Sequence, residues 1–339
     1  MNNPLPESPP IIQVQPASSG RLPLWILLSV FVGFMLPVCS CAILTISFTG
    51  SLSLFGGSGA TSSGRGDAVA TVRVEGAITG SDNTDIGTGA ISGVVMEDLR
   101  AAAADPTVKA IVLRVDSPGG SVTGSAQIYE VVREMEKPVV VSMAGLAASG
   151  GYYVSAPADY IFARPDTTTG SIGVIMTLFN AQELLDDLGV DIIAIASGPN
   201  KTLGSFWETI TPEQELIFAA ILDEAYEDFV QVIVDGRNLE PSAVRELADG
   251  RIYTGRQALA LGLVDELGNF QDAIDKAAAL GGISGEPRLV EYQRLPGFRQ
   301  LLTGFSARLN QSPGDQALAI MSELAVPAIE YRYVGPASR

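Results

Sequence analysis

Two stretches of sequence decide the fold class: residues 111–120 read IVLRVDSPGG, and residues 139–153 read VVVSMAGLAASGGYY. Each begins with a β-branched apolar run typical of a buried strand, then passes through small residues into a helical pattern. Glycines at such a junction let the backbone turn tightly and expose its N–H groups. Open α/β sheets bind ligands beyond the carboxyl ends of their strands, so the two junctions predict a site.

Strand and helix patterns alternate along the rest of residues 68–283. Besides the two strands above, the apolar runs predict strands at 69–74 and 192–195. Helices are predicted at 91–104, 122–136, 150–155, 181–188, 212–234, 242–248, 256–261 and 271–280. The alternation predicts an α/β domain with mostly parallel strand pairing.

Composition divides the remainder of the chain into segments. Residues 1–21 are rich in Pro, Ser and Asn and are expected to form a disordered tail. Residues 49–67 are rich in Gly and Ser and are expected to be a linker. Residues 284–339 show mixed periodicity, and their role in the fold is not predicted.

Residues 22–48, LPLWILLSVFVGFMLPVCSCAILTISF, contain no charged residue. The run is longer than the roughly 20 apolar residues that span a bilayer, so it predicts a retained transmembrane helix. A cleaved signal peptide would have a shorter apolar core and a basic leader, whereas only Arg21 precedes this run. A lipidated Cys41 is a further alternative. The position of Arg21 predicts a cytoplasmic tail and an extracytoplasmic main domain, tethered to the cell membrane by a single pass.

The composition excludes several kinds of chemistry. The chain has 339 residues, with 21 Lys and Arg, 38 Asp and Glu and no His. The net charge of −17 disfavours a nucleic-acid partner, because phosphate contacts need a positive surface. Without His, every Ser-His-Asp and Cys-His mechanism is excluded. The two cysteines both lie in the apolar run, and we expect neither a metal nor any other cofactor.

Ser149 is the candidate nucleophile. It stands where the second quoted strand ends, and Gly150 and Gly151 leave its hydroxyl open to a substrate. A serine at a helix start is more often a cap, and Pro118-Gly119-Gly120 alone is more often a plain turn. Two such junctions after successive strands favour a catalytic site over either simple interpretation.

A serine nucleophile needs a base, and without His the options are a lysine, a carboxylate or an α-amine. Lys201 follows the strand predicted at 192–195, so it lies at the same edge of the sheet as Ser149. The other three lysines have structural interpretations. Lys109 precedes a predicted strand, Lys137 ends a predicted helix, and Lys276 lies in a predicted amphipathic helix. Because a lysine is a base only when neutral, this role requires Lys201 to be buried in a closed site.

Taken together, the motifs resemble the signal peptide peptidase SppA family, also known as protease IV or S49 serine peptidases. The apolar N-terminal run and the length resemble the short, single-domain form of that family. The resemblance covers about residues 68–283 in five ordered blocks: VDSPGG at 115–120, ASGGYY at 148–153, TGSIGV at 169–174, DGRIYTGRQA at 249–258 and GLVDELG at 262–268.

This resemblance implies a Clp protease/crotonase-like spiral of ββα units with an N-terminal transmembrane helix. It implies that Ser149 is the nucleophile, that Lys201 is the general base and that Ser171 orients the lysine. The backbone amides of three glycines are implied as oxyanion-hole donors: Gly119, Gly120 and Gly150.

The resemblance further implies cleavage of remnant signal peptides, or of other membrane-associated peptides, through an acyl-enzyme. It implies a homo-oligomer in which neighbouring protomers contribute the serine and the lysine of each dyad. One rival is a crotonase-type enzyme that acts on acyl-CoA thioesters with Asp116 or Asp159 as its carboxylate. Another is a non-catalytic membrane scaffold with the same fold. The apolar run and Ser149 argue against the acyl-CoA interpretation.

Overall fold

The computed structural model describes residues 59–62, 66–80, 89–293 and 328–335, and the fold is given for these. The predicted tail 1–21 and the predicted membrane helix 22–48 lie outside the described residues. Within them, no helix is both long and apolar enough to cross a membrane.

The strands alternate with helices, as the sequence pattern predicts. The strands are β1 Gly59–Ser62, β2 Ala68–Glu75, β3 Ile78–Thr79, β4 Ala90–Ile91, β5 Val108–Ser117, β6 Gly119–Ser121, β7 Val139–Ala148, β8 Tyr160–Ala163, β9 Thr168–Gly170, β10 Ile175–Met176, β11 Ile252–Thr254, β12 Glu266–Leu267, β13 Arg288–Gln293 and β14 Ile329–Arg332. The helices are α1 Ser92–Ala104, α2 Val122–Arg133, α3 Gly150–Tyr153, α4 Gln182–Leu188, α5 Pro212–Arg237, α6 Pro241–Leu247, α7 Gly255–Ala260 and α8 Phe270–Leu280.

A nine-stranded sheet forms the centre, in the order β1-β13-β2-β5-β7-β8-β12, with β9 beside the end of β7 and β11 beside β9. Pairing from β13 through β12 is parallel, while β1 and β11 pair antiparallel at the margins. Strands β2, β5 and β7 are buried nearly throughout, which explains their continuous β-branched sequences.

Helices cover both faces of this sheet. One face packs against α8 through a small buried cluster that includes Val112, Phe162, Ile274 and Ala277. The other face forms the main core with α1, α2 and α5, where Leu99, Ile128 and Phe229 are fully buried. Burial on both sides fixes the strand ends, and these ends carry the two junctions identified in the sequence.

A second, five-stranded sheet lies in the order β10-β14-β6-β3-β4. It includes Gly119–Ser121, which directly follow the long strand β5, so the first junction passes from one sheet into the other. The C-terminal strand β14 pairs antiparallel with both β6 and β10. The mixed sheets fit a Clp protease-like α/β fold.

The prediction of a strand at 192–195 is wrong. These residues form no strand, and the side chains of Ile193 and Ile195 are 84% and 99% exposed. A β-branched run becomes a strand only when a neighbouring strand supplies hydrogen-bond partners, and no strand of the described residues pairs with it. The other predicted strands and the eight predicted helices are present, with ends shifted by a few residues.

Segments outside the predicted domain also contribute strands. Residues 59–62, inside the predicted linker, form β1 and pair with β13. Strand β13 in turn pairs with β2, although its residues belong to the C-terminal stretch without a predicted role. Backbone pairing uses only N–H and C=O groups, so a Gly/Ser composition does not exclude an edge strand.

One buried carboxyl predicts a pH dependence of stability. Burial in α1 raises the pKa of Asp98 from 3.8 to about 6. The folded chain therefore keeps a proton that the unfolded chain releases, and stability is lost as the pH rises between about 4 and 6. We expect the Asp98→Asn variant to lose this component, amounting to at most about 3 kcal/mol, in denaturant unfolding measured at pH 4 and pH 7.5. An identical pH slope in both proteins would contradict the assignment.

Candidate active site

Ser149 stands at a strained turn between a strand and a helix. Strand β7 ends at Ala148, α3 begins at Gly150, and Ser149 between them has φ 53° and ψ −117°. A non-glycine residue at positive φ is sterically unfavourable and persists only where its surroundings impose it. Serine nucleophiles of α/β hydrolytic enzymes occupy such strand-to-helix turns because the turn presents the hydroxyl at the strand end.

Neighbouring backbone holds this turn in place. The N–H of Ser149 donates to the carbonyl of Gly170 at 2.7 Å, and its own carbonyl accepts from the N–H of Tyr153 at 2.9 Å. The side chain makes no capping hydrogen bond to α3. The helix-cap interpretation of Ser149 therefore does not hold.

Ser171 lies beside Ser149 at the end of the adjacent strand. Because Ala148 pairs with Gly170, the residues after them, Ser149 and Ser171, leave neighbouring parallel strands together. Ser171 also has a positive φ, 51°, and its N–H donates to the carbonyl of Arg251 at 2.7 Å. The sheet register thus places two serines at positive φ directly after a pair of matched residues on neighbouring strands.

The two junctions meet at their glycines. A Cβ atom on Gly119 would lie 2.4 Å from the amide nitrogen of Gly150, so only glycine allows this approach. Gly119 has φ 86°, and its own N–H donates to Ser117 Oγ at 3.1 Å. Gly150 opens α3, and amides in a first helical turn have no partner inside the helix. Of the three predicted oxyanion glycines, Gly119 and Gly150 are in contact.

Gly120 is needed for a different approach. A Cβ atom at this position would lie 2.1 Å from the carbonyl oxygen of Ile78, because β6 runs closely beside β3. Its φ is 153°, at the limit of the region that favours glycine. The Pro-Gly-Gly sequence is therefore more than a plain turn, since each glycine permits a separate close contact.

Ser125 is a residue of the site that the sequence reasoning missed. Its side chain on α2 is fully buried, and its hydroxyl oxygen has no hydrogen-bond partner among the residues that the structure describes. A Cβ atom on Gly150 would lie 2.5 Å from that oxygen, so the hydroxyl lies directly against the first residue of α3. A serine at this point of a helical pattern, three residues before two apolar residues, carries no distinct sequence signal. The place of Ser125 in the site is visible only from the packing of α2 on α3.

The two tyrosines after Ser149 supply no base near neutral pH. Tyr152 and Tyr153 are buried, and burial raises the pKa of both phenols. The Tyr152 hydroxyl instead donates to the carbonyl of Leu263 at 2.7 Å. Both phenols therefore stay protonated and serve the packing of α3.

Three of the four lysines have partners far from the proposed chemistry. Nζ of Lys137 donates to the carbonyls of Ala102 and Asp105 at the end of α1, at 2.9 and 2.6 Å. Nζ of Lys109 donates to the carbonyl of Pro106. Nζ of Lys276 lies over the ring of Tyr160. Two of the predicted positions differ in detail: Lys109 lies inside β5 rather than before it, and Lys137 follows the end of α2 and binds the end of α1 instead.

Lys201 is exposed, and it lies in a turn after the exposed residues 190–196. Its backbone N–H donates to the carbonyl of Gly198, and within the described part of the chain its ammonium group has no hydrogen-bond or ion-pair partner. A single copy of the chain thus does not bury Lys201, contrary to what a lysine base requires. The reason is the absent strand pairing of residues 192–195, which leaves this segment on the surface.

The carboxylates of the acyl-CoA alternative bind backbone amides. Asp116 accepts a hydrogen bond from the N–H of Leu146 at 3.1 Å, and Asp159 accepts one from the N–H of Val139 at 2.7 Å. Both residues are exposed. Their contacts fit structural roles at the ends of β5 and β7.

Comparison with known proteins agrees with this geometry. The model of Peptidase family S49 matches residues 132–284, which include Ser149, Ser171 and Lys201. A Synechocystis sp. protein named "Putative protease" is 42% identical over 205 residues, covering 59% of this chain and 73% of that protein. The chain belongs to peptidase family S49. The Clp protease model matches residues 83–169 and hence the Gly119–Gly120 junction as well.

Two further S49-type relatives are longer than the matched region. "Protease 4" of Salmonella typhi is 40% identical over 219 residues, which cover 63% of this chain and 35% of that protein. "Putative signal peptide peptidase SppA" of Enterococcus faecium is 44% identical over 174 residues, 50% of this chain and 51% of that protein. The chain thus spans about a third and a half of these two relatives.

Proposed function

We propose that this S49 family member is a serine endopeptidase with a Ser149–Lys201 dyad. The observation that carries the proposal is the strained strand-to-helix turn of Ser149, with the Gly150 amide next to it and Gly119 in contact. A buried hydroxyl held at unfavourable φ without a capping role is best explained by chemistry at that position.

The mechanism follows from these groups. Lys201 Nζ, when neutral, takes the proton of Ser149 Oγ as the oxygen attacks the peptide carbonyl. The Gly150 N–H stabilises the negative oxygen of the tetrahedral intermediate. The second donor is the N–H of Gly119 or of Gly120, of which that of Gly119 donates to Ser117 Oγ in this structure. The lysine then protonates the leaving amine, and water hydrolyses the acyl-enzyme with the same lysine as base. Ser171, beside Ser149, accepts or donates a hydrogen bond that orients the lysine.

The lysine of each dyad comes from another copy of the chain. Lys201 is exposed in one copy, but a lysine base must be desolvated. The segment that bears it exposes apolar side chains, with Leu184, Leu188, Ile193 and Ile195 all between 60% and 99% exposed. Contiguous exposed apolar side chains mark an interaction surface, and a second copy that covers them also buries Lys201.

Two inactive variants should therefore complement each other. We expect equal mixing of Ser149→Ala and Lys201→Ala proteins, with reassembly, to restore about a quarter of the sites, because each site draws both residues at random. Peptide hydrolysis by the mixture measures the rescue. The Ser149→Ala protein mixed with the Ser149→Ala/Lys201→Ala double variant is the control and should stay inactive. Mixed oligomers, verified by two affinity tags, that show no activity would place both residues in one chain.

The substrates that fit this proposal are remnant signal peptides or other membrane-associated peptides. The apolar run 22–48 serves as a single-pass anchor, with the peptidase domain extracytoplasmic. A site at the membrane surface meets peptides released from the bilayer, and an extended peptide can pair with the open edge of a strand.

A further inference from the structure

The hydroxyl of Ser125 is a buried polar group without a partner, and it lies against the helix that follows the nucleophile. Ser125 is fully buried on α2, and its Oγ makes no hydrogen bond to any residue that the structure describes. A buried hydroxyl that has given up its hydrogen bonds to water without replacing them destabilises the fold. A native protein that keeps such a group has a use for it, and an active site is one place where this occurs.

Ser125 does not use the partner that its own helix offers. A helical serine commonly donates to the carbonyl four residues earlier, which for Ser125 is the carbonyl of Ser121. Ser155 makes this kind of bond, since its Oγ donates to the carbonyl of Gly151 at 2.6 Å. Both serines are fully buried, so the difference lies in the direction of the hydroxyl and not in its burial. The Ser125 oxygen faces Gly150, on which a Cβ atom would lie 2.5 Å from it.

The free hydroxyl and the amide assigned to the oxyanion hole meet at Gly150. A Cβ atom lies about 2.5 Å from the amide nitrogen of its own residue, so Ser125 Oγ is at most about 5 Å from the Gly150 nitrogen. One oxygen atom can accept hydrogen bonds of about 2.8 Å from two donors at that separation. The Cα atom of Gly119 lies 3.0 Å from the same Cβ position, and neither glycine places a side chain there.

We propose that the Ser125 hydroxyl donates a hydrogen bond to the oxyanion of the tetrahedral intermediate, together with the N–H of Gly150. This inference rests on the proposed peptidase function and adds a side-chain donor to its oxyanion hole. The hydroxyl is unpaired in the free enzyme and gains its acceptor as charge develops on the substrate oxygen. A donor paired mainly in the transition state raises kcat more than it tightens substrate binding.

The role of Ser125 is distinct from that of the nucleophile. As Ser149 Oγ bonds to the peptide carbon, its proton passes to Lys201 and the carbonyl π electrons move onto the oxygen that Ser125 and Gly150 bind. When the intermediate collapses, the carbonyl re-forms and the amine leaves with the proton from the lysine. Ser125 keeps its own proton throughout, so it acts as a hydrogen-bond donor and not as a base.

Two substitutions that remove the hydroxyl test this role in the full-length protein. Ser125→Ala should lower kcat for a fluorogenic peptide by about a hundredfold with little change in KM, as expected for the loss of one oxyanion donor. Its Tm should be equal to or higher than that of the wild type, because an unpaired buried hydroxyl is removed. Ser125→Gly should lose the same factor in kcat although its Tm is lower, because glycine weakens α2.

Ser155→Ala is the matched control. It also removes a fully buried serine hydroxyl, but one that already has a hydrogen-bond partner in the free enzyme. Its Tm should therefore fall, while kcat should change only severalfold. Two results would overturn the proposal: a Ser125→Ala protein as active as this control, or a loss of kcat that accompanies a lower Tm, as the removal of a purely structural hydroxyl would give.

A peptide aldehyde separates binding of the oxyanion from binding of the substrate. Ser149 Oγ adds to the aldehyde carbon, and the resulting hemiacetal places its oxygen in the oxyanion hole. Ser125→Ala should weaken aldehyde inhibition by about a hundredfold, whereas the corresponding peptide alcohol, which forms no adduct, should inhibit both proteins equally. A wild-type protein that hydrolyses no peptide would contradict the proposed function and this inference with it. An active wild type, with equal aldehyde inhibition of both proteins, would contradict the role of Ser125 alone.

Discussion

Replacing Ser149 with alanine is expected to lower peptide hydrolysis by about a thousandfold or more, because the reaction loses its nucleophile. The fold should persist, since alanine has the same backbone preference as serine at φ 53°. Steady-state hydrolysis of a fluorogenic peptide by the purified full-length protein measures the effect. Labelling by a phosphonate or β-lactam-type acylating reagent should disappear in parallel.

Ser155→Ala is the matched control for this substitution. Ser155 is also fully buried and close in sequence, but its hydroxyl donates to the carbonyl of Gly151 and lies outside the proposed dyad. Its loss should change turnover only severalfold. A Ser149→Ala protein that turns over peptide like the Ser155→Ala control would refute the role of Ser149.

Ser149→Gly separates strain from chemistry. Glycine adopts positive φ without steric cost, so this variant should be inactive yet more stable than Ser149→Ala by about 1 kcal/mol. Thermal unfolding of the two inactive proteins measures the difference. A strained functional turn predicts this gain, because glycine at position 149 relieves the strain that the nucleophile imposes on the fold.

The sequence predicted the architecture around Ser149 well because local patterns there agree with the packing. The runs at 111–115 and 139–143 are buried on both faces of a parallel sheet, and such strands have continuous β-branched sequences. The glycines at the two junctions indicated places where the backbone approaches too closely for a side chain to fit, as the Gly119–Gly150 contact shows. These features depend on neighbours in sequence and on steric exclusion.

The features that the sequence did not predict depend on partners distant along the chain. The run at 192–195 has the composition of a strand, but a strand also requires an available edge, and these residues lie exposed instead. Conversely, residues 329–332 have no strong pattern, yet they pair with β6 some 200 residues earlier because that edge is free. Ser125 likewise gains its position only through the packing of α2 against α3.

Lys201→Arg is expected to be as inactive as Lys201→Ala, although it keeps the positive charge. A general base must release and accept a proton, and an arginine side chain stays protonated throughout the working pH range. Both variants should lose peptide hydrolysis by about a hundredfold or more. Lys276→Arg is the matched control: this lysine lies over the ring of Tyr160, and arginine makes the same cation–π contact there.

The pH dependence of the wild-type rate tests the same assignment independently. Because the neutral lysine is the active form, kcat/KM should rise with pH and level off once the lysine has lost its proton. With no His in the chain, an imidazole cannot cause such a rise. Tyr152 and Tyr153 cannot cause it near neutral pH either, since burial raises the pKa of both phenols.

A purely electrostatic role for the lysine predicts the opposite pattern. If the cation only stabilised the oxyanion, Lys201→Arg would keep much of the activity, and the wild-type rate would stay level or fall at alkaline pH. Measuring the full pH profile of wild type and Lys201→Arg with one substrate separates the two roles. An active arginine variant with a falling alkaline profile would remove Lys201 as the base and return the carboxylates Asp116 and Asp159 to consideration.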